Sequence, residues 1–379
     1  MKKIKIIYII DVFDNDMAGT ENQLKKIISG LNKSTFQVHL VCFGNSPWFH
    51  KNHLLLECGS TVIEMNRFKR PMTYVSLARL VKFLRNQNPD IVHTFFPVGN
   101  SVGVIAARLA GIKNIISSRR DYGEWMNGRY LAATRFANKF VGKIIANSRE
   151  VKKLTQEKEK ICDDKVEVIL NGIDTALFKK TGRDHDLKRR LNIPHGDKVV
   201  GIVANFRPMK HHYTFLKAAV EILKTRKDVS FMLVGQGQLH QEVMAFGKSL
   251  GVSHKLCFTG PQTDVLPFLS IMDVGVNCSE GEGLSNAIME YMATGVPCVV
   301  SRAGGNPDLI THEVNGYTFE LDDYKSSAEL TLRLLNGDVV RDKFIKNARE
   351  KIEKELSIER MLLNYEELYI NLTQGTAHY

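Results

Sequence analysis

A chain of 379 residues exceeds what one hydrophobic core usually supports, so two domains are expected. Hydrophobic residues make up 44% and charged residues 25%, as in ordinary soluble globular proteins, and no apolar run of about 18 residues predicts a membrane-spanning helix. The net charge of +11 lies in the first half, where residues 1–178 hold 27 Lys and Arg against 16 Asp and Glu, while the rest holds 25 of each.

The basic excess narrows the choice of partner. Basic and large apolar residues alternate in Arg67–Met72 and again between Arg119 and Lys143. No nucleic-acid recognition motif accompanies them, so nucleic acid is not expected as a partner. An anionic membrane surface fits better, and a basic face that only keeps the protein in solution is the equal alternative. The six cysteines show no C-x-x-C spacing, which indicates reduced core residues in a cytosolic protein.

The first half predicts a doubly wound parallel α/β domain, because apolar runs typical of buried strands alternate with helical periodicity. The basic, apolar N-terminus lacks a small-residue cleavage site and is interpreted as the first strand rather than as a signal peptide. We expect strands at residues 4–10, 37–43, 61–65, 89–93, 115–118, 144–148 and 166–170, with helices after Glu21 and at 74–86 and 100–110. His93 ends one strand, where it could touch substrate or be a satisfied core histidine.

The second half predicts another domain of the same kind. The turn at Asn171–Asp174 precedes a boundary near residue 178, and 179–197 is interpreted as a linker with one short helix. A strand at 198–204 delivers Arg207 and Lys210 to the sheet edge, where two cations suit a diphosphate, the alternative being solvated side chains. Further strands are expected at 230–234 and 256–260, with helices at 213–224, 265–271, 325–335, 338–354 and 358–371.

The most informative pattern is the strand–loop–helix–strand unit Val274–Ser301. Its loop ends at Ser285 and Asn286, which are good N-cap types, and the helix stops before Gly295 and Pro297. A helix N-terminus favours an anion such as phosphate. Two acids flank that position, Glu282 in the loop and Glu290 on the helix; a solvated loop acid and a surface helix acid are the alternative.

The stretch EGLSNAIMEYMATGVPCVVS resembles the glutamate–seven–glutamate signature of family 4 of the retaining glycosyltransferases. The resemblance implies the GT-B fold, an α/β architecture of two Rossmann-like doubly wound domains facing a central cleft. Residues 1–178 would form the acceptor-binding domain, with a C-terminal helix at about 358–379 packing back on it. Residues 179–357 would bind the nucleotide sugar.

The resemblance also implies roles for residues. Glu282 would face the donor sugar and Glu290 the ribose, while Arg207 and Lys210 would bind the diphosphate. Donor contacts are further expected at Gly19, Gly235, Gly283, Leu284, Ser285, Asn286, Asp264 and Val265. Asp121 and His93 are candidates for acceptor or sugar contact.

Three positions depart from the family pattern. Gly19 keeps the second glycine of a pair, but Ala18 replaces the first. Asn205 occupies the usual arginine position, so Arg207 is expected to serve instead. Arg120 stands where many members have a histidine; it cannot shuttle protons near neutral pH but could clamp an acidic group.

The implied activity is retaining transfer of a sugar from a nucleotide diphosphate sugar to an acceptor, with no cofactor and no metal. Asp14-Asn15-Asp16 has the spacing of a metal-binding motif, but an acidic loop is the preferred interpretation. A lipid-linked or surface-polysaccharide acceptor and a cytoplasmic location, at the inner face of the cell membrane, fit the basic first half. The rivals are a sugar-nucleotide epimerase of the same fold, a nicotinamide oxidoreductase, which the missing Gly-x-Gly-x-x-Gly disfavours, and a non-catalytic membrane module.

Overall fold

The apolar runs of the sequence become the strands of two parallel sheets. The computed structural model describes residues 2–13, 19–44, 46–52, 57–65, 72–123, 128–180 and 182–375. The chain divides into one unit of Met1–Gly172 with Ile358–Tyr379 and a second unit of Ile173–Ser357.

The first unit contains a seven-stranded parallel sheet of order β3-β2-β1-β4-β5-β6-β7. Its strands are β1 (Ile4–Ile10), β2 (Phe36–Cys42), β3 (Gly59–Val62), β4 (Ile91–Thr94), β5 (Asn114–Arg119), β6 (Lys143–Ala146) and β7 (Val166–Val168). Its first helices are α1 (Gly19–Gly30), α2 (Pro47–Asn52), α3 (Met72–Gln87), α4 (Phe96–Val98), α5 (Val104–Leu109), α6 (Gly128–Ala137) and α7 (Arg149–Glu159).

The second unit contains a six-stranded parallel sheet of order β10-β9-β8-β11-β12-β13. The strands are β8 (Lys198–Val203), β9 (Val229–Val234), β10 (Leu256–Gly260), β11 (Val274–Asn277), β12 (Cys298–Ser301) and β13 (Tyr317–Phe319). The helices are α8 (His185–Arg190), α9 (His212–Thr225), α10 (His240–Ser249), α11 (Leu266–Ile271), α12 (Asn286–Thr294), α13 (Asn306–Leu309), α14 (Tyr324–Asn336) and α15 (Asp338–Glu355).

The last helix, α16 (Ile358–Gly375), belongs to the first unit. It buries Met361, Tyr365, Leu368 and Tyr369, whose spacing puts them on one helical face, in the same cluster as Tyr8 of β1. The opposite face of β1 contributes Ile7 and Ile9 to a separate core with α3 and α5. Both faces of the central strands are therefore covered, which explains why they read as continuous apolar runs in the sequence.

The boundary between the units differs from the expected position near residue 178. The N–H of Ile173 donates to the carbonyl of Leu356 at 2.8 Å, and Ile173 forms a β-bridge with Ser357. The turn after Gly172 is thus held by the end of the second unit.

The expected continuous helix at 100–110 is also interrupted. The structure has α4, a π-helical turn at Gly99–Gly103 and then α5. The carboxylate of Asp11 accepts the N–H groups of Val98 at 2.9 Å and Gly99 at 2.6 Å, which fixes the start of this segment against the end of β1. Among the described helices, none is long and apolar enough to cross a lipid bilayer.

Candidate active site

The second sheet reverses its winding direction between β8 and β11, which lie side by side in register with Val200 opposite Val274. At such a point the loops leaving the two strands turn apart and open a crevice at the carboxyl edge of the sheet. The loop after β8 carries Arg207 and Lys210, and the loop after β11 carries Glu282. The topology therefore brings together two segments that lie about 70 residues apart in the chain.

Lys210 and Glu282 form an ion pair in this crevice. The ammonium Nζ lies 2.5 Å from Oε1 of Glu282, and each side chain is only 16% exposed. Burial by itself would raise the pKa of the Glu282 carboxyl, but the charge and hydrogen bond of Lys210, with hydrogen bonds from Ser279 and Asn277, outweigh it and hold the pKa below its usual range. Glu282 is therefore a carboxylate at neutral pH.

Asn277 organises the floor beneath Glu282. Its Nδ2 group lies 3.4 Å from Oε1 of Glu282 and 3.2 Å from Oγ of Ser285, and its Oδ1 accepts the N–H of Ser279 at 3.0 Å. The amide of Asn306 donates to the carbonyl of Ser301 at 3.1 Å and lies 3.4 Å from Oδ1 of Asn277. The sequence patterns do not predict Asn277 or Asn306 in the site, although an amide that ends an otherwise apolar strand is a signal for Asn277.

Helix α12 begins directly after the loop of Glu282. Ser285 occupies the N-cap position, as expected, but its side chain makes no capping bond, because its Oγ instead accepts from Asn277. Gly283, Leu284 and Ser285 are buried. The first N–H groups of a helix have no acceptor within the helix, so this end presents donors and positive potential to the crevice.

Glu290 lies half-buried in the middle of α12, next to Tyr291. Burial is the main cause that raises the pKa of Tyr291, and the charges of Glu290 and Glu282 both add to it, so both acids act on one buried phenol. The Tyr291 hydroxyl accepts the N–H of Val203 at 2.8 Å and so ties α12 to the end of β8. Helix α12 ends at Gly295, whose φ of 76° is the left-handed C-cap that the sequence predicts.

Arg207 and Lys210 differ in their surroundings. Arg207 is exposed and precedes a short 3-10 turn, Pro208–Lys210, that carries Lys210 inward. Lys210 is thus anchored, while the Arg207 guanidinium reaches into solvent at the same edge.

The remaining donor candidates of the second unit line the same carboxyl edge. Gly235, after β9, has a φ of 144°, and a Cβ there would lie 2.2 Å from the Ala204 carbonyl, so only glycine fits. Asp264 and Val265 follow β10; Asp264 accepts the N–H of Leu266, the first residue of α11, at 2.9 Å, and Val265 is the N-cap residue.

In the first unit His93 lies in the core. Of its two interpretations, a substrate contact and a satisfied core histidine, the structure supports the second. It is fully buried, and its ring nitrogens contact the Tyr369 hydroxyl at 2.9 Å and Ser118 Oγ at 2.8 Å. Burial, assisted by the charge of Arg120, lowers its pKa to about 3. The expected sugar or acceptor contact is therefore not available to His93 in this structure, because no part of its ring reaches the surface.

Arg119 is the last residue of β5 and Arg120 follows it, and the two arginines have different roles. Arg119 is buried and paired with Glu159, with Nε–Oε1 at 2.6 Å and NH2–Oε2 at 2.8 Å, so it is structural. Arg120 donates to the side chain of Asn171. Burial lowers the pKa of Arg120, and Tyr365 and Glu21 partly offset this. Arg120 is half-buried and lies in a polar cluster with Asn171, Tyr365 and Glu21.

The other first-unit candidates follow the carboxyl ends of strands of the first sheet, Gly19 after β1 and Asp121 after β5. Asp121 is exposed, and its Oδ1 accepts the N–H of Gly123 at 2.8 Å. Gly19 is the first residue of α1, two residues before the buried Glu21. Asp14, Asn15, Asp16 and Ala18 lie outside the described residues. Within the described ranges, no group of three or more His, Cys, Asp or Glu side chains could hold a metal ion.

Sequence comparisons match both units. The first matches the family model Glycosyltransferase Family 4 over residues 17–177, and the second matches Glycosyl transferases group 1 over residues 184–351. The chain is 30% identical over 307 residues to the UDP-Gal:alpha-D-GlcNAc-diphosphoundecaprenol alpha-1,3-galactosyltransferase of Escherichia coli, covering 78% of this chain and 79% of that one. This chain belongs to family 4 of the glycosyltransferases.

Other relatives of this glycosyltransferase agree with the assignment. N-acetyl-alpha-D-glucosaminyl L-malate synthase of Bacillus anthracis is 26% identical over 323 residues, covering 82% of this chain and 83% of that one. The structure of Anabaena HepE in complex with UDP and glucose superposes with a TM-score of 0.84 at 19% identity, covering 97% of this chain and 100% of that one. The two parallel-sheet units and this likeness identify the fold as GT-B.

Proposed function

We propose that this glycosyltransferase moves a sugar from a UDP-sugar to a lipid-linked or surface-polysaccharide intermediate, with the anomeric configuration retained. The observation that carries the proposal is the Lys210–Glu282 pair beside the N-terminus of α12, at the point where β8 and β11 part. Cations and helix amides bind a diphosphate, and a carboxylate binds sugar hydroxyl groups.

The diphosphate of the donor competes with Glu282 for the ammonium group of Lys210. When a diphosphate enters, its oxygens replace Glu282 as the partner of the Lys210 ammonium, and the carboxylate becomes free to accept hydroxyl groups of the sugar. The anomeric C–O bond then breaks, and the negative charge that develops on the departing diphosphate is stabilised by Lys210, Arg207 and the amides of α12. The acceptor oxygen bonds to the anomeric carbon, and its proton passes to the departing phosphate oxygen.

Uridine is the base we propose, with the ribose bound by Glu290. The names of two similar proteins support it, because the Escherichia coli relative uses UDP-Gal and the Anabaena structure holds UDP. We further propose that no divalent metal is needed, since two side-chain cations and a helix N-terminus supply positive charge at the diphosphate. Transfer should therefore continue in excess EDTA, and its loss on chelation with recovery on adding Mg²⁺ would contradict this point.

A mixed basic and apolar patch on the first unit suits a membrane-bound acceptor. Leu109 and Phe136 are 53% and 52% exposed. The Arg108 guanidinium lies 6.0 Å from the ring of Phe140, and Lys139 Nζ lies 5.8 Å from the ring of Phe136. Aromatic rings flanked by cations suit the interface of an anionic bilayer. The other basic stretch of the sequence analysis, Arg67–Met72, is outside the described residues except for Met72.

Flotation with liposomes tests the membrane part of the proposal. The parent should float with vesicles containing anionic lipid and not with neutral vesicles, and Phe136→Ser should reduce flotation. Val339→Ser is the matched control, because Val339 is 85% exposed on the second unit. Equal flotation of all three proteins, or none, would contradict a membrane role for this patch.

Donor binding and transfer test the main proposal. A thermal-shift screen should single out a UDP-sugar over GDP- and ADP-sugars, and a transfer assay with UDP-galactose or UDP-glucose and an α-GlcNAc-diphospho-lipid acceptor should release UDP. NMR of the product should show an α linkage. A β linkage would refute retention, and no stabilisation by any nucleotide sugar would refute the transferase site.

A further inference from the structure

His211 directly follows Lys210 and has an unusual backbone. Its φ of 48° and ψ of 46° lie in the left-handed region, where a residue other than glycine is uncommon and costs free energy. It ends the Pro208–Lys210 turn and precedes α9. A strained residue beside the Lys210 turn calls for a compensating interaction of its side chain.

Both ring nitrogens of His211 are engaged by acids from other loops. Nδ1 lies 2.8 Å from Oδ1 of Asp322, and Nε2 lies 3.2 Å from Oε2 of Glu280. An ionised carboxylate only accepts hydrogen bonds, so both contacts require N–H on both nitrogens, which only the imidazolium has. The geometry is therefore that of a protonated histidine.

The three contacting residues come from three different loops at the carboxyl edge of the second sheet. Glu280 follows β11, two residues before Glu282, and its N–H donates to the carbonyl of Met209 at 2.9 Å. Asp322 follows β13 and also accepts the hydroxyl of Thr214 at 2.6 Å. The cluster ties the turn that carries Lys210 to the loop that carries Glu282.

We propose that His211 is a positioning residue which, as an imidazolium, holds the Glu282 loop and the Lys210 turn in register and makes donor binding depend on pH. The effect on donor binding rests on the proposed function, but the positioning of the Glu282 loop and the Lys210 turn by His211 does not. Loss of the ring proton leaves one N–H for two carboxylates, so one of the two links must break.

The charges around His211 determine the direction of the pH effect. Burial by itself would lower its pKa, but the hydrogen bonds and charges of Asp322 and Glu280 outweigh it and raise the pKa above the ordinary value. Lys217 acts on Asp322, and Lys210 is the adjacent residue in the chain. Because the folded pKa is raised, the links are complete at low pH and are lost as pH rises through that value.

Binding of UDP-galactose to the whole chain tests the proposal, because its diphosphate diester has no proton to lose near neutral pH. From about pH 6 to pH 9 the affinity of the parent should fall by up to about fivefold, the size expected for an exposed charge pair. His211→Asn tolerates the left-handed backbone but cannot be charged, so its affinity should be low and flat with pH. His211→Arg keeps a permanent charge and should stay tight and flat. His254→Asn, at an exposed site elsewhere in the unit, should keep the slope of the parent.

Two measurements without ligand separate this proposal from the donor assignment. The His211 imidazole should titrate above its ordinary pKa by NMR, and Asp322→Asn and Glu280→Gln should each lower that value. Residues 278–285 should exchange amide hydrogens faster in His211→Asn than in the parent or in His254→Asn. If the parent binds no UDP-galactose but these results hold, the donor is wrong and the positioning stands. A normal His211 pKa, unchanged exchange, or a pH slope that survives in His211→Asn would overturn the proposal.

Discussion

Replacing Lys210 by alanine tests two effects separately: the stability that its ion pair with Glu282 contributes, and the catalytic role proposed for it. The variant leaves the Glu282 carboxylate in place with 16% exposure and without its cation. Removing one partner of a fully buried pair costs about 3–5 kcal/mol, and removing one of a surface pair costs about 0–1 kcal/mol. Since Asn277 and Ser279 still donate to Glu282, we expect a loss of about 2 kcal/mol in the free energy of unfolding of the second unit at neutral pH.

This loss should depend on pH in a defined direction. In the parent the depressed pKa of Glu282 contributes stability that is present above its unfolded pKa and lost as pH falls through the folded value. Without Lys210 the dominant effect on Glu282 is burial, so its pKa should rise above the ordinary value. Protonation then relieves the penalty, and the difference between variant and parent should shrink at about pH 5.

Thermal and urea unfolding measure the stability effect. A loss of about 2 kcal/mol corresponds to a fall of about 4–8 °C in the melting temperature of a unit of this size. Lys224→Ala is the control, because Lys224 is 63% exposed in a pair with Glu221, and its change should stay within about 0.5 kcal/mol. The double variant Lys210→Ala with Glu282→Gln should recover most of the lost stability, since no unpaired charge remains.

Transfer kinetics measure the catalytic effect. If Lys210 stabilises the departing diphosphate as proposed, its removal should lower kcat by about 10²–10³, and the double variant should stay inactive although it is stable. The reasoning is refuted if Lys210→Ala unfolds like Lys224→Ala at every pH, or if its kcat stays within a few-fold of the parent value.

Three further predictions concern stability. Arg119→Leu should lower the unfolding free energy by about 3–5 kcal/mol, because it leaves the buried carboxylate of Glu159 without its cation. Urea unfolding measures this loss, and a loss below about 1 kcal/mol would contradict the prediction. Burial lowers the pKa of His93 to about 3 in the folded protein, so as pH falls His93 is protonated in the unfolded chain before it is protonated in the folded one. The unfolding free energy of the parent should therefore fall by roughly 1.4 kcal/mol per pH unit below about pH 6.5, and His93→Gln should reduce this dependence on pH. Gly235→Ala would place a Cβ 2.2 Å from the carbonyl of Ala204 and should lower unfolding free energy by about 3 kcal/mol, whereas an unchanged melting temperature would refute the close contact.

Much of the fold follows from local patterns. The strands are continuous apolar runs bounded by turn residues, and their alternation with helices requires parallel crossovers covered on both faces. The strand–loop–helix unit around Glu282 and Glu290 is just as local, because its strand, helix start and Gly295 stop lie within one short segment. Family and fold class could therefore be predicted from the sequence, and so could the local unit that carries Glu282 and Glu290.

The partners of each charged side chain could not be predicted from the sequence. Lys210 contacts Glu282, His211 contacts Asp322 and Arg120 contacts Asn171, each across dozens of residues of chain. His93, the penultimate residue of β4, lies in the core rather than at an accessible edge, because Tyr369 of the distant last helix covers it.

The sequence alone determined two parallel α/β units and a helix start flanked by two acids, because periodicity and turn chemistry act over a few neighbouring residues. Tertiary structure alone decided which charges are paired, which are buried and which reach solvent. The physical reason is that burial and pairing depend on strand order, and strand order brings together loops whose separation along the chain carries no information about their distance in space.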